Sequence, residues 1–359
     1  MRHVLACLLL LTQATMAACT HATPAPAPPS EPRMAEGAQA QETPFHRRPF
    51  HPTAEGRWIG AGICYGPHRA GQRPGGPAPS DAELREDLRL LAPRWNLLRI
   101  YGADELAERL LRILRQDRLP VKLLLGAWIA PERGPSPGPA APLAEARAAN
   151  RREVEQAIRL ANAYPDLVLA VVVGNETQVS WSDHLVDLEV LIGHVRQVRA
   201  RTAVPVTTAD DFSYWITPGS ERLARELDFL VNHVHPLWNG TSLEDALAFT
   251  QARQAAVAAR HPGLTVMLGE SGWATKRHTE GDQAKLMKGE TSEAAQRTFY
   301  RQFAAWVARD QVPSTFFEAF DEDWKGGPHP DEVEKHWGLF RADRSPKRAM
   351  EAGPAEGQR

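Results

Sequence analysis

From Trp58 onward the chain repeats one unit: a short apolar run, then a longer stretch whose apolar residues recur at helical spacing. Short apolar runs bounded by turn residues read as buried strands, and three-to-four spacing sustained over ten or more residues reads as a helix with one face on a core. The strand-like runs lie at residues 59–65, 96–101, 121–128, 168–173, 204–208, 229–234, 265–269 and 315–320. The clearest helical patterns between them lie at 81–91, 104–116, 145–163, 184–201, 243–260 and 291–309. Ser80, and Ser242 followed by Glu244 and Asp245, stand where helix N-caps belong. The fifth unit is the weakest, because residues 220–226 leave room for only a short helix. Strands that alternate with helices pair in parallel, and eight such units over roughly 300 residues imply one closed (β/α)8 barrel of the α/β class. Residues 51–350 hold it, and no second domain is needed.

Barrels of this kind place their chemistry at the carboxyl ends of the strands. Two ends stand out. The run Val266, Met267, Leu268 leads through Gly269 into Glu270, followed by Ser271, Gly272 and Trp273. The run from Leu169 to Val173 leads through Gly174 into Asn175 and Glu176. A carboxylate at the end of a buried strand is costly unless it is paired or used. The flanking glycines let backbone and ligand approach closely. The gap between the two acids is roughly two to three units of about 30 residues or more, so both can reach one mouth. Paired carboxylates are the machinery of glycoside hydrolysis: one protonates the leaving oxygen, the other attacks or activates water.

With these residues in view, the chain resembles glycoside hydrolase family 17, the β-1,3-glucanases and β-1,3-glucanosyltransferases of the retaining (β/α)8 clan, in a bacterial form. Gly62-Ile-Cys-Tyr-Gly66 is similar to the family's opening strand and Leu98-Arg-Ile-Tyr101 to its second. Val173-Gly-Asn-Glu176 and Gly269-Glu-Ser-Gly-Trp273 resemble the strands of the acid/base and the nucleophile. Phe317-Glu-Ala-Phe-Asp-Glu-Asp-Trp-Lys325 and Glu334-Lys-His-Trp-Gly-Leu-Phe340 resemble the closing strand and the segment beyond. The resemblance spans about residues 58 to 348. It implies Glu176 as acid/base, Glu270 as nucleophile and Asn175 as partner of the sugar 2-hydroxyl. It also implies substrate contacts from Glu322 and Lys325, and a further acidic position at Glu334, for which an ordinary surface ion pair with Lys335 or Arg341 is an equal alternative. Plant members carry Asn and Tyr where His233 and His235 stand, so a histidine nitrogen here would take the place of the tyrosine hydroxyl on the nucleophile.

The remaining strand ends add candidates. Arg99 and Tyr101 are two apart and share a face, as do His233 and His235. Arg99 fits a substrate contact and a buried ion pair equally well. Asp210 and Asp211 close the fifth strand, either as hydroxyl ligands or as caps of the next segment. Trp128, Trp181, Trp238, Trp273 and Trp324 fall at or just past strand ends, where aromatic faces suit sugar rings; Trp273, next to Glu270, is counted as substrate-binding, and one or two of the others serve as core. Cys64, in the apolar first strand, reads as a small buried hydrophobe. His233-Val-His235 lacks a third matching ligand, so no metal and no cofactor are expected.

The first residues carry Arg2 and His3 and then about ten apolar residues, too few to span a bilayer, and read as an export signal over 1–18. Thr15-Met-Ala-Ala-Cys19 resembles a lipoprotein cleavage box, so lipidation at Cys19 is expected; Ala38-Gln-Ala40 is the site for ordinary cleavage instead. Residues 19–50, rich in Pro and Ala, read as an extended spacer, and 351–359 as a disordered tail. The expected location is the cell envelope, with secretion as the alternative. With 42 Lys and Arg against 44 Asp and Glu, bulk charge argues against nucleic acid. The partner expected is a β-glucan oligo- or polysaccharide, the membrane is reached only through a lipid anchor, and the protein is a monomer. Three functions follow in order: β-1,3-glucan hydrolysis, transglycosylation onto a sugar acceptor, and non-catalytic glucan binding. The Pro- and Gly-rich loop at 130–143 could block one end of the cleft.

Overall fold

Eight parallel strands close on themselves, and each is where an apolar run of the sequence ends in turn residues. The structure is a computed structural model that describes residues 45–132 and 141–351. The export signal, Cys19, most of the spacer, most of the 130–143 loop and the tail lie outside the described residues. A two-residue-per-strand hairpin, β1 (Thr53–Ala54) and β2 (Arg57–Trp58), precedes the barrel. The barrel strands are β3 (Ala61–Cys64), β4 (Leu97–Ile100), β5 (Lys122–Ala127), β6 (Val168–Asn175), β7 (Val206–Asp211), β8 (Leu230–His233), β9 (Val266–Glu270) and β10 (Ser314–Phe316). They neighbour one another in chain order, and β10 pairs with β3 through Thr315 opposite Gly62 to close the ring. This is the (β/α)8 architecture expected from the alternation.

Helices α1 (Asp81–Leu91), α2 (Glu105–Gln116), α3 (Ala141–Ala163), α4 (Leu188–Arg201), α5 (Phe212–Trp215), α6 (Ser220–Ala224), α7 (Ala246–Arg260), α8 (Gly281–Leu286) and α9 (Glu293–Asp310) lie outside the strands. Helix α1 shows why. Leu84, Leu88 and Leu91 fall on one face and are fully buried against the barrel. Its start is fixed by a capping box in which the Ser80 hydroxyl accepts from the Glu83 amide and the Glu83 carboxylate accepts from the Ser80 amide. The fifth unit is short, as expected, because α5 and α6 share the work of one helix. Helix α7 begins at Ala246, later than the pattern suggested. There Ser242 and Asp245 bond each other's hydroxyl, amide and carboxylate, which holds the intervening residues as a turn. Helix α8 was not expected from the sequence.

The barrel interior is a small apolar core of its own: Leu97, Leu124, Ala170, Val172, Ala209, Val231 and Met267 point inward, with Phe50 and Phe229 below them. Phe50 stacks flat on Phe229 at 3.8 Å between ring centroids and plugs the amino ends of the strands. Arg48 ties the same segment down, with its amide on Asp228 and its guanidinium on the carbonyls of Val204 and Arg199. The packed chain therefore begins before residue 51, ahead of the boundary read from composition. Removing the plug with Phe50→Ala should cost about 3–5 kcal/mol, as for other buried aromatics cut back to alanine. Urea unfolding of this variant should show the midpoint falling with the slope unchanged; a change below about 1 kcal/mol would mean the amino ends are closed by something else.

Two irregularities aim the mouth residues. Between Val172 and Asn175 the β6 register slips against β7, and between Asn232 and His233 the β8 register slips against β9, where Gly269 is the extra residue. A bulge turns the side chains that follow it and is common beside functional sites. Gly269 has to be glycine: a Cβ there would lie 2.2 Å from Val231 and 3.1 Å from the His233 ring. Past the first slip, Glu176 itself adopts φ 51°, the left-handed region that costs a non-glycine residue strain.

Candidate active site

Glu270 ends β9 as a buried carboxylate and is met on both oxygens. Arg99 Nη1 donates to Oε1 at 2.8 Å and to the Gly269 carbonyl at 2.9 Å. The Tyr101 hydroxyl donates to Oε1 at 2.9 Å, and His235 Nε2 bonds Oε2 at 3.2 Å. The paired faces read from β4 and from the end of β8 thus converge on one group. Arg99 is 1% exposed, and its other nitrogen, Nη2, donates to Asn175 Oδ1 at 2.5 Å. Of the two readings of Arg99, the substrate contact gives way to the buried ion pair: the guanidinium is spent on the carboxylate and on Asn175. It leaves the Asn175 amide nitrogen as the group free of Arg99. His184 Nε2, from the loop after β6, bonds the Asn175 carbonyl at 2.9 Å, and its ring packs 4.8 Å from Trp128.

Glu176 faces the same space. Its Oε1 lies 2.9 Å from His233 Nδ1, and His233 Nε2 lies 3.5 Å from Glu270 Oε1, so the imidazole stands between the two acids. Glu176, His233 and Glu270 each offer an oxygen or nitrogen within 4.8 Å of the others. Such a trio also has metal-ligand composition, but Arg99 already holds a positive charge against Glu270 Oε1, which opposes a cation there. The arrangement suits proton and electron-pair chemistry.

The two carboxyls are driven apart. Burial first, then the negative charge of Glu270, pushes Glu176 up to about 8, against smaller pulls from His235 and Arg99. Burial pushes Glu270 up too, but the positive charge near it from His233 and Arg99 and the bond from His235 outweigh it, so Glu270 sits below the usual carboxylate range. His233 is itself driven down to about 3, chiefly by burial, so near neutral pH it is uncharged while Arg99 stays a cation beside Glu270. His235 moves the other way: burial lowers it, but Glu270 raises it more. At neutral pH one carboxyl is protonated and its neighbour ionised, the division of labour that acid and nucleophile require.

Around this centre the remaining predicted residues sort into three groups. Tyr101, Asn175, His233 and His235 are gathered at the two acids. Glu322 and Lys325 meet each other beside them: Lys325 Nζ is 2.7 Å from Glu322 Oε2 and donates to Glu318 at 2.8 and 2.7 Å. Glu322 is 2% exposed and also accepts from Trp324 Nε1 at 3.0 Å, so it holds Lys325 and Trp324 in place and is not itself open to a substrate. Glu318, fully buried and not singled out from the sequence, is the second anchor of Lys325; only the charge of a carboxylate inside an apolar run hinted at it. Glu334 does not pair with Lys335 or Arg341. It accepts from Trp238 Nε1 at 3.0 Å, and burial raises its carboxyl. Arg341 is instead bonded to Glu293.

Trp273 is the clearest correction. It is fully buried, donates to the Glu290 carbonyl at 2.9 Å and packs on Phe299 of α9, so it offers no face to a sugar. Trp128, Trp181 and Trp324 are the exposed ones, at 41%, 60% and 40%. Asp211 caps α5 through the Ser213 amide, and Asp210 accepts from the amides of Gln178 and Asp211, so both serve the backbone. Cys64 is a buried small side chain with its thiol on the Gly269 carbonyl, and burial pushes it up to about 12.

Comparison with known proteins adds four findings. The family model for the BtgE/BtgC glycoside hydrolase domain matches residues 62–338, a span that includes both acids. A glucan 1,3-beta-glucosidase of Schizosaccharomyces pombe is 27% identical over 279 residues, covering 73% of this chain and 78% of that protein. Among solved structures, an endo-laminarinase from Formosa superposes with a TM-score of 0.70 at 24% identity, covering 81% of this chain and 85% of that one. An active-site mutant of a Rhizomucor miehei beta-1,3-glucanosyltransferase, solved with laminaritriose, follows at 0.64 and 22%, covering 81% and 96%. At these identities the solved structures establish a shared fold.

Proposed function

The chain belongs to the BtgE/BtgC glycoside hydrolase family, and from that premise we propose that it cleaves β-1,3-glucan with retention of configuration. It is an O-glycosyl hydrolase. The glucan assignment is supported by the S. pombe relative and by the laminarinase and laminaritriose-bound neighbours. The finer placement in glycoside hydrolase family 17 rests on the strand-end motifs. The observation that carries the mechanism is the pair itself: an ionised Glu270 and a protonated Glu176 with oxygens within 4.8 Å. Retaining enzymes hold their carboxyls about 5–5.5 Å apart, whereas inverting enzymes need about 6.5–9.5 Å to admit a water.

In this reading Glu270 Oε attacks the anomeric carbon while Glu176 gives its proton to the departing glycosidic oxygen. Arg99, Tyr101 and His235 keep Glu270 ionised and aimed. Once Glu270 is an ester its charge is gone, the second-largest push on Glu176 vanishes, and Glu176 becomes able to take a proton from the incoming water. Asn175 is the residue placed for the sugar 2-hydroxyl. Exposed Trp181, five residues past Glu176 on the same loop, favours a second reading in which a sugar acceptor competes with water.

Proton NMR of laminari-oligosaccharide cleavage, read in the first minutes, tests both. The expected first product is the β anomer, with no release from cellulose; chains longer than the substrate would mark transfer. An initial α product, or equal release from a β-1,4-glucan, would overturn the proposal.

A further inference from the structure

His233 joins the two acids, and its tautomer is constrained by its surroundings. The ring is fully buried, so no bulk water serves either nitrogen, and Gly269 leaves the space it occupies. A neutral imidazole has one N–H and one lone pair. With the proton on Nδ1, the Nε2 lone pair would face the anionic Glu270 Oε1 at 3.5 Å. With the proton on Nε2, the N–H meets that anion as an electrostatic contact that closes no hydrogen bond, and Nδ1 must find a donor. The group within reach of Nδ1 is Glu176 Oε1 at 2.9 Å, which donates only when protonated. Asp210, Asp211, Arg99, His235 and Glu334 also act on this pair of groups, and none of them bonds Nδ1.

We propose that His233 is a positioning residue that relays the charge of Glu270 to Glu176: the Nε2–H turned toward ionised Glu270 leaves Nδ1 as an acceptor that holds the acid proton on Glu176. The inference rests on the acid and nucleophile roles given above, and adds to them a route by which the state of one is felt by the other. Hydrogen bonding to the neutral form of a carboxyl raises its pKa, so His233 adds to the effect of burial. Formation of the glycosyl-enzyme removes the charge that fixes this tautomer, and with it the bias toward protonated Glu176. Burial explains why a histidine serves: in water either nitrogen would find its own partner and the coupling would be lost.

The first test needs no substrate. Nitrogen-15 NMR of the histidine-labelled free protein, with the His233 signals assigned by difference against His233→Asn, should show Nε2 protonated and Nδ1 bare near pH 6. A protonated Nδ1 overturns the proposal, whether or not the enzyme acts on glucan. The second test is kinetic. In His233→Phe the alkaline limb of kcat/KM on β-1,3-glucan should move down by about one pH unit, the tenfold change in proton affinity that one lost hydrogen bond gives. His233→Asn restores an oxygen acceptor near the Nδ1 position and should bring the limb back toward wild type. On a dinitrophenyl β-laminaribioside, which leaves without a proton, His233→Phe should lose clearly less kcat/KM than it loses on β-1,3-glucan. An unmoved limb, with equal losses on both substrates, would make His233 a purely structural residue. Wild-type protein inactive on every β-1,3-glucan would instead defeat the functional reading and leave the tautomer result to stand or fall alone.

Discussion

Glu270→Gln should lose turnover of β-1,3-glucan by on the order of 10⁴-fold or more, because the amide cannot form the covalent intermediate proposed for the carboxylate. The amide keeps the size of the carboxylate and can still accept from Arg99 and Tyr101, so the variant should fold. Glu270→Ala is the harsher change. It leaves the Arg99 guanidinium, 1% exposed, with Asn175 and the Gly269 carbonyl but no counterion. Stripping one partner from a buried ion pair costs about 3–5 kcal/mol. Thermal unfolding should therefore separate the two: both variants inactive, but only the alanine protein markedly less stable. Azide tests the role directly. With a dinitrophenyl β-glycoside and Glu270→Ala, azide can enter from the face the nucleophile has vacated, and the product should be the α-glycosyl azide. A β-azide from this variant would exchange the roles of the two acids. A Glu270→Gln protein that keeps wild-type turnover would place the nucleophile elsewhere.

These expectations rest on residues that could be read without coordinates, for a physical reason. A carboxylate that ends an apolar strand must be used or paired, so Glu176 and Glu270 announce themselves in one dimension. The pairs Arg99 with Tyr101, and His233 with His235, were also readable as same-face pairs, because strand alternation is local. What Arg99 touches was not, since its partners come from other strands: Asn175 on β6 and Glu270 on β9. Trp273 shows the same limit from the other side. Its place beside Glu270 in sequence suggested a sugar platform, but the chain turns after Gly272 and sends the indole outward to Phe299, into the layer between barrel and α9. Phe50 was hidden in a segment whose composition is that of a spacer; only its stacking on Phe229 makes it core. Glu318 was hidden because its reason for being buried, Lys325, reaches it from a loop. In each miss the deciding interaction is tertiary, and local pattern carries no information about it.

Glu176→Ala should fail selectively, because the acid/base has two jobs that depend differently on the leaving group. On β-1,3-glucan the departing alkoxide needs a proton, so turnover should fall by about 10² to 10⁴-fold, the usual contribution of such a group. In the proposed mechanism wild-type kcat/KM requires Glu176 protonated. With its carboxyl raised to about 8 by burial and by Glu270, activity should hold through neutral pH and be lost as pH rises through about 8. The variant has no such group, and its residual activity should lack that limb. On a dinitrophenyl β-laminaribioside the first step needs no proton, so Glu270 is still glycosylated, but no base remains to draw a proton from water. The glycosyl-enzyme should then accumulate: a burst of dinitrophenolate followed by a slow steady state, with intact-mass analysis showing the added sugar. Azide needs no deprotonation and fits the space the side chain leaves. It should restore the steady-state rate and give a β-glycosyl azide, since it displaces Glu270 from the face the first leaving group left. An α-azide would make Glu176 the nucleophile. No burst, with equal losses on glucan and on the activated substrate, would remove Glu176 from the proton transfer altogether.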